Sequence, residues 1–172
     1  MRQFLRLEAP EPPRDVAPVA LPTRGPVLCA GCLHRNVFFA AAAVFGEKAT
    51  YVTDIGCYTL GANEPHRAGD VLLAMGSSVP LASGISRTTG ERVLAFLGDS
   101  TFFHSGIPGL VNAVEQKDNV AVVVLDNHVT AMTGFQPNVT SPGGSQEGRI
   151  PAVVRALGVA NVEVVDSADI PA

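Results

Sequence analysis

Two apolar runs constrain the fold of this chain more than any other feature. Val93 to Leu97 reads VLAFL and Val120 to Leu125 reads VAVVVL, with no polar position to turn toward water. A strand with one solvated face alternates apolar and polar residues. A run apolar throughout belongs to a strand covered on both faces, the usual state in a parallel sheet flanked by helices. Around these runs the pattern predicts helices over about 34–45, 76–85, 105–116 and 149–157. It predicts further strands over about 50–55, 70–74 and 162–165, and a Thr-, Gly- and Pro-rich loop over 130–145. Short apolar strands alternating with helices of about ten residues predict an α/β domain built on a three-layer parallel sheet, with helices on both faces.

The 172 residues suffice for one domain with a real core, and 47% hydrophobic against 16% charged residues is rich in core material. A net charge of -4 with no Lys/Arg block argues against a nucleic-acid surface. The N-terminal stretch lacks the apolar core of a signal peptide, and no apolar run is long enough to span a bilayer, so a cytoplasmic protein without a membrane segment is expected. Residues 1–26 hold six of the 13 prolines and show no period, which reads as an extended linker or tail before a domain over 27–172. The final residues follow directly on an expected strand, so the domain is expected to be truncated at its C-terminus.

Both apolar runs end on small polar oxygen ligands, Gly98-Asp99-Ser100 and Asp126-Asn127. In an open parallel sheet, ligands bind beyond the carboxyl ends of the strands, near a switch point in strand order. Asp99 and Asn127, though 28 positions apart, are therefore expected to be spatial neighbours. A carboxylate, an amide oxygen and a main-chain carbonyl suit Mg²⁺, which completes its octahedron with water and phosphate oxygens. Gly98 permits close approach, while Ser100, Thr101 and the start of the following helix offer N–H donors to an anion. The pattern points to a diphosphate held by a metal. Gly-Asp-Ser alone is also a common tight turn with an Asp helix cap; the pairing of two strand ends is the more specific signal.

Here the sequence resembles the thiamine-diphosphate enzymes, which carry Gly-Asp-Gly/Ser, a helix and a strand, then Asn at this separation. AMGSSVPLASGI, 74–85, is similar to the Met-Gly and small-residue helix of the same domain, which brings in Met75 and Gly76. Four ordered blocks, LCAGCLHRNVFFA, VTDIGCYTLGA, GDSTFFHSGIPGLVNAV and LDNHVTAMTGFQP, together resemble the large subunits of indolepyruvate:ferredoxin oxidoreductases over 27–137. One departure is Leu33, where the family block carries proline.

The resemblance implies the diphosphate-binding (PP) domain of that fold, with thiamine diphosphate and Mg²⁺ as cofactors. Asp99, Asn127 and the carbonyl of Val129 are the implied metal ligands. The implied reaction is oxidative decarboxylation of aryl 2-oxoacids such as indolepyruvate to acyl-CoA, with coenzyme A as acyl acceptor and ferredoxin as electron acceptor. It would require a pyrimidine-binding domain and a smaller beta subunit, and an oligomer is expected. A non-oxidative thiamine-diphosphate decarboxylase or synthase, or an inactive binding module, are the competing readings.

Individual residues carry alternatives. Cys29, Cys32 and Cys57 form Cys-x2-Cys-x24-Cys, resembling three ligands of the cluster nearest the cofactor in pyruvate:ferredoxin oxidoreductases. A [4Fe–4S] cluster normally takes four cysteines, and the competing reading has these three lining the cofactor pocket. His34 and His104 are candidates for catalytic proton handling, or equally helix caps. Gly56, Cys57 and Tyr58 follow an expected strand and are candidates to approach the cofactor. Thr130 and Thr133 either touch the diphosphate or belong to an ordinary surface loop. Asp54 reads as a structural carboxylate.

Overall fold

A computed structural model describes residue 20, residues 22–23 and residues 25–169, so most of the Pro-rich segment 1–26 lies outside the described residues. Three strands, β1 (Ala49–Val52), β2 (Arg92–Gly98) and β3 (Val120–Leu125), form a parallel sheet in the order β1-β2-β3. The helices are α1 (His34–Phe45), α2 (Ser78–Thr89), α3 (Asp99–Thr101), α4 (Ile107–Glu115) and α5 (Ile150–Ala156), with short 3-10 turns at Gly46–Lys48 and Cys57–Ala62.

The central strand explains the three layers. Val93, Ala95 and Leu97 of β2 point into one core with Val79 and Ala82 of α2, Leu110 and Ala113 of α4, and Ile150 of α5. Leu94 and Phe96 point the other way, into a core with Phe38 and Ala41 of α1, Tyr51 and Tyr58. Side chains alternate along a strand, so a strand buried on both faces must be apolar at every position. Phe96 meets Phe38 edge-on with ring centroids 5.4 Å apart, the preferred aromatic geometry. Helices cover both faces, as the apolar runs predicted.

Two expected strands are absent. The segment expected over 70–74 makes a single bridge, Val71 to Val52. Main-chain bonds do join it to the β1 edge, Asp70 N–H to the Tyr51 carbonyl at 2.7 Å and Thr53 N–H to the Val71 carbonyl at 2.9 Å, but the Asp70 carboxylate takes the Tyr51 N–H at 2.8 Å and the pairing extends no further. Residues 162–165 form no strand, with Val164 72% and Val165 79% exposed. A β-branched run becomes a strand only where a neighbouring edge accepts its N–H and C=O groups.

The helix expected over 105–116 begins earlier. From Asp99 to Glu115 the chain is helical throughout, interrupted by a wide π turn over Phe102–Gly106. In that turn the Ile107 N–H reaches back five residues to the Phe102 carbonyl. Pro108 lacks an N–H and its ring would crowd the carbonyl four residues earlier, so the wider turn relieves it. No helix among the described residues is long and apolar enough to cross a membrane.

Candidate functional site at the carboxyl ends of the strands

The polar strand ends meet as expected. A cleft of about 70 Å³ opens beyond the carboxyl ends of β2 and β3, lined among others by Asp99, Ser100, Thr101, Asn127 and Val129. Strand order runs consecutively here, so the cleft lies between sequential strands and not at a reversal among the described strands.

Asp99 is buried, 2% exposed, at the junction where β2 passes into α3. Its Oδ2 accepts a hydrogen bond from Asn138 Nδ2 at 3.0 Å and a short one from the Thr140 hydroxyl. A second carboxyl group, Asp126, stands beside it. Burial raises the Asp126 pKa, the neighbouring His128 counters, and the charge of Asp99 raises it further. Asp126 does not line the cleft, but two carboxyl groups this close form the kind of arrangement that a cation relieves.

At the β3 tip the backbone turns sharply. His128 adopts φ 59°, the left-handed region that non-glycine residues seldom occupy, between Asn127 and Val129. Its ring Nδ1 lies 3.1 Å from Asp126 Oδ1 and 3.1 Å from the Thr140 carbonyl. Asn127 is exposed, and its Oδ1 accepts the Val129 N–H at 3.2 Å, an internal turn contact. Ser100 and Thr130 hydroxyls are 3.2 Å apart, which stitches the helix start to the loop after β3.

The remaining wall comes from the tip of β1. Gly56, Cys57 and Tyr58 line the cleft, as does Met75. Tyr58 is buried; its hydroxyl donates to the Ile55 carbonyl at 2.7 Å and lies 2.7 Å from Thr101 Oγ1. Burial pushes its pKa up to about 12. Gly98 was expected to admit a ligand, but the group that approaches it is Tyr58: a Cβ there would sit 2.6 Å from the ring. Gly76 itself is not a lining residue; its N–H bonds Asp54 Oδ1 at 2.7 Å. Ser100 and Thr101 occupy the first helical turn, whose N–H groups lack intrahelical acceptors and face the anion-favouring end of the helix dipole.

His34 lines the cleft, 8% exposed. Burial holds its imidazole below the ordinary histidine value, with Asp99 pulling the other way, so the neutral ring is favoured. The structure does not bring every candidate to the cleft. His104 lies exposed on the π turn, outside the lining, and Thr133 is exposed and bonded to Gln136 Oε1. Cys29 is exposed, Cys32 Sγ lies 3.4 Å from His34 Nδ1, and only Cys57 lines the cleft. Burial raises the Cys57 thiol pKa, and the nearby Cys32 and Cys29 add to that. Among the described residues, no three His, Cys, Asp or Glu side chains are grouped to hold a metal ion. The hard oxygens of Asp99, Asn127 and the Val129 carbonyl, which line one cleft, still suit Mg²⁺, since two of the three are neutral donors.

The sequence alone assigned no specific role to Asp126, Asn138 or Thr140. Asp126 was visible at the end of an apolar run. Asn138 and Thr140 lie 39 and 41 positions from Asp99 in a loop of ordinary composition, with no local signal.

Comparison with known proteins identifies the family and the fold. Residues 54–171 match the family described as thiamine pyrophosphate enzyme, C-terminal TPP binding domain, and the chain belongs to that family. It is 44% identical over 95% of its length to indolepyruvate oxidoreductase subunit IorA of Methanothermobacter marburgensis, covering 27% of that protein. To the subunit of the same name from Pyrococcus horikoshii it is 44% identical over 87% of its length, covering 26%. The chain thus spans about a quarter of the length of these curated relatives. A solved 2-oxoglutarate:ferredoxin oxidoreductase from Magnetococcus marinus shares the fold, with TM-score 0.58 and 23% identity over 72% of this chain and 43% of that one.

Proposed function

We propose that this chain holds the diphosphate of thiamine diphosphate through Mg²⁺, as one part of an oxidoreductase that oxidatively decarboxylates an aryl 2-oxoacid such as indolepyruvate. The observation that carries the reading is the half-satisfied buried carboxylate of Asp99, sharing its cleft with Asn127 and the Val129 carbonyl at adjacent strand tips. Asp99 and Asn127 would hold the metal with the Val129 carbonyl, and the N–H groups of Ser100 and Thr101 would face the diphosphate. When bound, the cofactor supplies the carbanion chemistry of decarboxylation.

This chain's own residues orient and shield. Tyr58, fixed by Ile55 and Thr101, walls the cleft; Met75 and Ile55 add apolar surface that limits water. His34, buried and neutral, is the group placed to accept or return a proton beside Asp99. In this proposal the aryl specificity follows the indolepyruvate oxidoreductase relatives, which are about four times longer than the matched region, and coenzyme A and ferredoxin follow the solved 2-oxoglutarate:ferredoxin oxidoreductase, while a pyrimidine-binding domain and a smaller subunit rest on the sequence resemblance alone.

The test is calorimetric titration of the chain with thiamine diphosphate, with and without Mg²⁺, for the wild type and Asp99→Ala. Binding that needs the metal and falls at least roughly 100-fold in the variant is expected, since a metal-ligating carboxylate is removed. Equal binding without metal would overturn the site assignment.

A further inference from the structure

We infer that Asn138 and Thr140 are positioning residues for Asp99, fixing which carboxylate oxygen is turned toward a divalent cation; this rests on the proposed metal-assisted diphosphate site. Both donors converge on one oxygen, Oδ2. Thr140 is fully buried and Asp99 nearly so, which places this contact away from competing water.

The local network leaves neither donor free to turn away. Asn138 Oδ1 accepts the Thr140 N–H at 2.9 Å and the Ser141 N–H at 3.1 Å, which fixes the amide plane and aims Nδ2 at Asp99. The Thr140 hydroxyl also lies 2.7 Å from Asn138 Oδ1 but has a single proton. The charged carboxylate is the stronger acceptor, so the proton goes to Asp99. With Oδ2 committed to two donors, the free coordination capacity of Asp99 is left to its other oxygen.

The same segment is bound to the neighbouring strand tip. Ser141 Oγ donates to the His128 carbonyl at 2.5 Å, and the His128 ring lies 3.1 Å from the Thr140 carbonyl. Residues 138–141 therefore fasten the tip of β2 to the tip of β3 and hold the spacing between Asp99 and the Asn127–Val129 turn. Outer groups that orient metal-binding carboxylates typically govern affinity by 10–100-fold when lost.

The experiment titrates Mg²⁺ into the full chain at fixed thiamine diphosphate, followed by calorimetry, for the wild type, Thr140→Val, Thr140→Ser and Asn138→Ala. Thr140→Val keeps the shape and removes the donor. We expect its half-saturating Mg²⁺ concentration to rise roughly 10–100-fold, with thiamine diphosphate affinity at saturating Mg²⁺ close to wild type. Thr140→Ser restores the donor and the wild-type metal dependence, which a purely packing role for Thr140 would not predict. A Thr140→Val protein with unchanged Mg²⁺ dependence, or a serine variant as impaired as valine, overturns the inference. If Thr140→Val does not fold by circular dichroism, the half-exposed Asn138→Ala carries the test, with the same rise expected and no rise overturning it. A wild type that ignores Mg²⁺ removes the underlying site; a metal-dependent wild type with indifferent variants removes this inference alone.

Discussion

Two buried aspartates stand at the carboxyl ends of neighbouring parallel strands, and their surroundings divide structure from function. Asp54, after β1, is 0% exposed, and both its oxygens are spent on the protein's own backbone. Oδ1 accepts the N–H groups of Ile55 at 2.8 Å and Gly76 at 2.7 Å, and Oδ2 accepts Ser78 N–H at 2.9 Å. It thereby caps α2 and joins the two loops that carry Gly56, Cys57 and Met75 to the cleft. Asp99, after β2, takes two side-chain donors on one oxygen and stands beside another carboxyl group. A saturated buried carboxylate holds a fold together; one crowded by its own kind and half-satisfied is suited to a cation.

That contrast can be broken most severely at Asp54. Asp54→Ala leaves three buried or half-buried N–H donors without their acceptor and is expected to cost about 4 kcal/mol of stability, read as a fall in Tm or urea midpoint. Asp99→Ala should cost less than half of that, while abolishing metal-dependent binding. Comparable losses of stability in both would erase the distinction.

A smaller effect belongs to Tyr58, which joins the two regions. Its folded pKa of about 12 lies above the model-peptide value of 10.0. The folded state therefore keeps a proton that the unfolded chain releases. The resulting stability is fully present below pH 10 and is lost as pH rises toward 12, on the order of 3 kcal/mol in all. Urea unfolding at pH 9 and pH 12 should show that extra loss in the wild type and not in Tyr58→Phe.

The mildest change expected is at the β3 tip. Asn127 is exposed and makes only an internal contact with Val129, so Asn127→Ala should leave the unfolding free energy within about 0.5 kcal/mol of wild type, as at most surface sites. Its half-saturating Mg²⁺ concentration should nevertheless rise roughly tenfold, the consequence of removing a neutral oxygen ligand. A fall in Tm as large as that of Asp54→Ala would place Asn127 with the structural groups.

Much of this was legible because the signals are local. The limits of α1 and β3 follow directly from apolar periodicity, and β2 differs from its expected span by one residue at each end. The start of α2 was misplaced by two residues because Asp54, far earlier in the chain, takes the N–H groups of Gly76 and Ser78. The missing strands over 70–74 and 162–165 fail for a related reason. Their residues favour extended backbone, but beside β1 the Asp70 carboxylate takes the Tyr51 N–H and the main-chain pairing stops at Val71.

By itself the sequence determined the parallel α/β layering, the two polar strand tips and the residues Asp99 and Asn127 that mark them, because burial on both faces of a strand writes itself into every position. Only the tertiary structure decided how those tips are used. It set Asp126 beside Asp99, aimed Asn138 and Thr140 at one carboxylate oxygen, laid Tyr58 over Gly98 and left His104 outside the cleft. Such contacts join segments tens of residues apart through single side chains, and no periodicity in the chain records which donor will meet which acceptor.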